Sequence, residues 1–184
     1  MLGFAALLLA AQPATADAAL LDTFRAACER VGDLEAMQAD ARQGGWTAIA
    51  DEADPRLARV NRSVRDGTSP ENRLTLSSYR AEPAGEPLFL VVSRVENDQG
   101  MWIDDCRVYA FGAAPIAGTA LEAWMGRPPT SSDDFGGVGL QLDWEPGWRD
   151  GMAFRVSHAP PGGALARQLG QDGNILVAQS LGGF

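Results

Sequence analysis

Two cysteines, one histidine and a pair of adjacent aspartates are the residues of this chain whose types could do chemistry. Cys106 follows Asp104 and Asp105 in MWIDDCRVYA (101–110), Cys28 lies upstream in DTFRAACERV (22–31), and His158 is the one histidine. A cysteine so placed can be a nucleophile, a metal ligand or half of a disulfide. A nucleophile needs its thiolate held near a base that lowers its pKa. Here His158 would be that base and Asp104 or Asp105 the group that orients it, which would make the chain a small hydrolase. Adjacent carboxylates raise a thiol's pKa, however, and no motif flanks Cys106. A zinc site would have to gather His158, the cysteines and a carboxylate without any close ligand spacing. No C-x-x-C occurs, and Asp133-Asp134, Glu145 and Asp150 follow no calcium-loop pattern. No metal and no cofactor is therefore expected.

The aromatic residues offer a different chemistry, that of binding. Trp148 and Arg149 stand together in the polar turn EPGWRDG (145–151). A loop tryptophan beside an arginine has the composition of a recognition hot spot, and the alternative is a tryptophan packed back over the end of a sheet. His158 extends the apolar alternation of Met152, Phe154 and Val156, so it reads either as a structural histidine at the core's edge or as part of the same binding surface.

The elements that must position these residues begin after an uncharged, apolar leader. MLGFAALLLAAQPATA ends in an A-x-A arrangement at Ala14 and Ala16, which reads as a signal peptide over 1–16. It is too short to span a bilayer core of roughly 30 Å. The expectation is an exported chain, periplasmic or secreted, with one domain over 17–184 and no transmembrane segment in the mature protein. In an oxidising compartment a lone pair of cysteines is most simply a disulfide, Cys28 to Cys106.

Leu20, Leu21, Phe24, Ala27, Cys28 and Val31 recur at helical spacing, and a second short helix follows Asp33. Asp54-Pro55 opens a third, ending at Gly67, with Arg56, Arg59, Arg62 and Arg65 over its outer side. These arginines read as a solvated face, with an anion-binding surface as the sharper alternative. Beyond residue 70 the period changes to two. Strands are expected near Leu74–Leu76, 87–95, 101–111, 138–144, 152–158 and 175–178. A helix over 115–125 and a short helical turn at 165–169 interrupt them. Hairpin connections favour an α+β fold, with N-terminal helices packed on one face of a mainly antiparallel sheet of five to six strands.

The 184 residues carry a net charge of −9 and an isoelectric point near 4.5, with arginine as the basic residue throughout. That balance disfavours nucleic acid and anionic lipid as partners. Phe24-x3-Cys28 on the opening helix, Ala41-x3-Gly45-Trp46 after the next, and Cys106 in a later strand make an outline that resembles small exported proteins of proteobacteria. The resemblance implies an exported domain and carries over no catalytic residue. Taken together, the sequence points to a disulfide-stapled binding domain with Trp148, Arg149 and His158 as candidate contacts. A protein partner is the leading expectation and a cell-envelope ligand such as a glycan the second. A hydrolase built on Cys106 and His158 is the competing class.

Overall fold

The computed structural model describes residues 16–135 and 138–184, so the leader over 1–15 lies outside the described residues. Helix α1 (Ala16–Cys28) buries Leu21, Phe24, Ala27 and Cys28, the stripe that its 3–4 spacing dictates. Gly32, at φ +107°, turns the chain sharply where a side-chain-bearing residue would be strained. Asp33 then caps α2 (Leu34–Gln43) by accepting from the Ala36 backbone N–H at 3.0 Å. A three-residue strand β1 (Thr47–Ile49) precedes α3 (Pro55–Gly67), which Asp54 caps through the N–H groups of Arg56 and Leu57.

Three long strands follow: β2 (Arg73–Ala81), β3 (Leu88–Glu96) and β4 (Trp102–Ala110). Helix α4 (Gly118–Met125) leads to β5 (Ser131–Asp134), β6 (Leu140–Trp144) and β7 (Met152–Ala159). Helix α5 (Ala164–Leu169) leads to β8 (Gly173–Gly182). The strands form one antiparallel sheet in the order β1-β2-β3-β4-β8-β7-β6-β5. The last strand thus inserts beside β4 and joins two meanders into a single α+β domain.

Eight strands correct the expectation of five to six. The two missed ones, β1 and β5, are three and four residues long. Every residue of SSDD is exposed, so no alternation of apolar and polar positions marks it. The helices also occupy both faces. On the first face α1, α2 and α4 close the main core, which joins Phe24, Met37 and Leu121 to Leu90, Val108, Trp144, Phe154 and Leu176. On the second face α3 covers only the β2–β4 half, where Leu57 and Val60 meet Phe89, Val91 and Tyr109. Strand β3 is consequently buried on both sides from Leu88 to Ser93. Its unbroken apolar run follows from that double burial.

Cys28 and Cys106 form the disulfide, S–S 2.07 Å with Cα atoms 5.5 Å apart, pinning α1 to the first face of β4. Among the described residues no helix is long and apolar enough to cross a membrane.

Candidate binding face

Because α3 stops short, the second face is left open over β8, β7 and β6 and over the first part of β4, and the residues of this face follow from strand alternation. Asp105, Arg107 and Tyr109 of β4 share it with Ile175, Val177 and Gln179 of β8. Arg155 and Ser157 of β7 and Gln141 and Asp143 of β6 complete it. Together with Gln171 they line a cavity of about 290 Å³.

Asp105 is the hub of this floor. It accepts from Gln179 Nε2 at 2.9 Å and from Arg107 Nη2 at 2.6 Å. Burial lowers the Arg107 pKa, but the neighbouring Tyr109 and Asp105 more than offset that and leave it raised. The Tyr109 hydroxyl is pushed up, chiefly by burial, with Arg107 pulling the other way. Both groups therefore hold their ordinary protonation at neutral pH. A second pair, Arg155 to Asp143 at 2.5 Å, lies towards the sheet's far edge, where Gln141 Nε2 also donates to Asp143 at 2.9 Å. Among the described residues, two buried side-chain atoms of the cavity lining have no hydrogen-bond partner: Arg107 Nε and Gln171 Oε1.

One step along the strands the floor turns apolar. The register sets Leu74 opposite Val95, Val95 opposite Ile103 and Ile103 opposite Leu181, a straight row of four aliphatic side chains across β2, β3, β4 and β8. Leu74 and Val95 are half-buried, whereas Ile103 and Leu181 are 37% and 52% exposed. Ile103 sits two residues from Asp105, and Leu181 two from Gln179. The row therefore abuts the Asp105–Arg107–Gln179 network directly.

The residues singled out from sequence lie elsewhere. Trp148 packs edge-on to Phe24 at 5.6 Å and contacts Trp124 and Phe154, while the Arg25 guanidinium lies 5.7 Å from its ring. Arg149 donates to the Val31 carbonyl, tying the β6–β7 loop to the turn after α1. His158 is buried, with Nδ1 3.0 Å from Asn174 Oδ1, and Asn174 in turn donates to the Ala114 carbonyl at 2.6 Å. Trp148 and Arg149 thus work together at one end of β7, and His158 stands at the other, about 20 Å of strand away. The sulfur that a Cys106 nucleophile requires is engaged in the disulfide. Among the described residues no group of three or more His, Cys, Asp or Glu side chains could hold a metal ion.

Ile103, Arg107, Gln179 and Leu181 were not singled out from the sequence, and Asp105 was weighed there only as an orienting group for a Cys106 nucleophile. The available signal was Asp105-x-Arg107 inside an apolar strand, which demands a polar environment on one face. Leu181 carried none, since it lies beyond the expected end of the last strand. Comparison with known proteins gives no match to a family model, to a curated protein or to a solved structure.

Proposed function

We propose that this chain is an exported, disulfide-stapled binding domain that engages a protein partner through the part of its second sheet face that α3 leaves open. The observation that carries the reading is the Leu74–Val95–Ile103–Leu181 row. It sets four aliphatic side chains flush on a sheet face, two of them in water, beside a fixed arginine–carboxylate–amide network. An apolar patch bordered by polar groups that are already hydrogen-bonded matches the anatomy of protein interfaces, an apolar core with a polar rim. Export is supported by the A-x-A leader and by a disulfide in a chain with no other cysteine.

The test is site-specific photocrosslinking in the producing cell. A photoreactive residue at Ile103 or Leu181 is expected to trap one discrete partner, and the same residue at the exposed Arg42 on α2 is not. Ile103→Asp in the Leu181-labelled protein is expected to abolish the adduct. Identical adducts from both faces, or none from the second face, would refute the docking surface. N-terminal sequencing of the exported protein is expected to begin at Asp17, and recovery of the uncleaved chain in the cytoplasm alone would refute the export.

A further inference from the structure

Beside the uncovered face, where α3 meets α5, two arginines stand without a carboxylate partner. Arg59 Nη1 donates to the Gly170 carbonyl at 3.0 Å, and Arg167 Nη1 donates to the Gly162 carbonyl. Among the described residues neither forms an ion pair, whereas the neighbouring Arg56 is neutralised by Asp54 at 3.1 Å. A carbonyl fixes a guanidinium without cancelling its charge, and each guanidinium has five N–H donors, so most remain to be used. The backbone is shaped around Arg59. Gly170 adopts φ +68°, and a Cβ there would stand 2.1 Å from Arg59 Cδ. Arg56, Arg59, Gly162, Arg167, Gly170 and Asp172 help enclose a groove of about 260 Å³.

Gln171 lines both this groove and the 290 Å³ cavity beyond it, where Arg107 stands. Its Oε1 is a buried acceptor with no partner, and Arg107 Nε is a buried donor with none. Leaving such atoms unpaired costs on the order of 1–3 kcal/mol each. The adjoining hollows thus present un-neutralised cations at one end and an orphaned donor and acceptor at the other. A hydroxyl group both donates and accepts, and can satisfy either orphan. An oxyanion suits the remaining N–H donors of Arg59 and Arg167, which line the same groove.

We propose that the two hollows form one site for an acidic sugar, its carboxylate held by Arg59 and Arg167 and its hydroxyls by Gln171 and Arg107. The site lies apart from the apolar row but shares Arg107 with the network beside it, so it is tested on the purified protein with no partner present. It gives an acidic chain a local means of attracting an anion, and hollows of about 260 and 290 Å³ offer room for one or two pyranose rings.

Calorimetric titration of the purified, oxidised protein with digalacturonate tests this, alongside neutral maltose and inorganic phosphate. Saturable binding of digalacturonate that weakens as salt is raised is the expected result, with maltose and phosphate each bound at least tenfold more weakly. Arg59→Gln with Arg167→Gln should weaken digalacturonate binding at least tenfold. Arg62→Gln, on the solvated side of the same helix, should leave it unchanged. Gln171→Ala should weaken digalacturonate without altering any residual phosphate binding. Should the double variant melt earlier than the parent, Arg167→Gln alone supplies the test. Equal binding of maltose would overturn the role of the arginines, and equal binding of phosphate would overturn the role of the hydroxyl contacts. No digalacturonate binding, or binding that Arg167→Gln leaves intact, would overturn the site altogether.

Discussion

Arg94 and Asp104 face each other across the β3–β4 register and are joined by two parallel hydrogen bonds, Nε to Oδ1 at 2.6 Å and Nη2 to Oδ2 at 2.7 Å. The carboxylate is fully buried on the first face, two residues from the disulfide, while the guanidinium lies 4.6 Å from the centre of the Trp102 ring and reaches towards solvent. Asp104 and Asp105, adjacent in sequence, therefore serve opposite faces. One is neutralised within the core and the other organises the uncovered floor. The strand is regular, and no bulge is needed to place them.

Breaking the Arg94–Asp104 pair from one side leaves a charge in the core. Arg94→Met is expected to lower unfolding free energy by about 3 kcal/mol, since removing one partner of a buried pair typically costs 3–5 kcal/mol and Arg94 keeps some solvent contact. Arg94→Met combined with Asp104→Leu should recover most of that loss, because an apolar pair of similar volume needs no neutralisation. Urea denaturation of both variants checks this. A double variant no more stable than the single one would show that the pair's geometry, not its charge balance, matters.

The disulfide closes a sequence separation of 78 residues. In the chain-entropy account such a loop is worth about 4 to 5 kcal/mol. Reduced protein, or Cys28→Ala with Cys106→Ala, should unfold at markedly lower denaturant, with a deficit up to that size. Intact mass after alkylation gives the covalent check: no label before reduction and two labels after. Two labels on the unreduced exported protein would contradict the pairing.

The parts of the fold legible in sequence were those where local chemistry acts alone. The caps Asp33 and Asp54, the stripe of α1 and the alternation of β6 and β7 each report a one-sided environment within their own segment. What escaped reading depended on distant cover. The run Leu88–Val92 is apolar at every position because α3 closes the second face above it, and that run was the one available warning against helices on one face only. Thr47–Ile49 and Ser131–Asp134 become strands because β2 and β6 offer them free edges, which their composition does not reveal. Trp148, flanked by Arg149 and Asp150, looked like a contact residue, and its packing on Phe24, Trp124 and Phe154 arises from a loop closing over the core. The uncovered face is defined by where α3 ends, so the Ile103–Leu181 pair had no local signature.

That packing makes Trp148 a stability residue in measurable terms. Trp148→Ala should cost about 2 to 3 kcal/mol, below the 3–5 kcal/mol of a fully buried large aromatic because the ring is half-buried. Trp148→Phe should cost less, since the indole Nε1–H has no hydrogen-bond partner to lose. Thermal melts rank the three proteins. An unshifted transition for Trp148→Ala would mean that the ring contributes nothing to the aromatic cluster and is free for another role.

Helix α3 is the element whose position decides how much of the second face stays open, and Asp54 holds its first turn. The Asp54 carboxyl is held below its ordinary range, first by its hydrogen bond from the Arg56 side chain. Burial opposes this, and the backbone N–H groups of Arg56 and Leu57 reinforce it. A carboxyl whose folded-state pKa is depressed adds stability that is fully present above its unfolded value, near 3.9, and is lost as pH falls through the folded value. Asp54→Ala should therefore cost about 1 kcal/mol at pH 7, the usual worth of such a cap, and the gap to the parent protein should narrow below about pH 4. Asp54→Asn keeps a capping oxygen without the charge, so its smaller deficit should come from the lost ion pair with Arg56 and should fade over the same acidic range. Urea melts of the three proteins at pH 7 and pH 3 check both statements. A gap for Asp54→Ala that widens on acidification would mean that the carboxylate is strained at the cap, and that α3 is held over β2–β4 by Leu57 and Val60 alone.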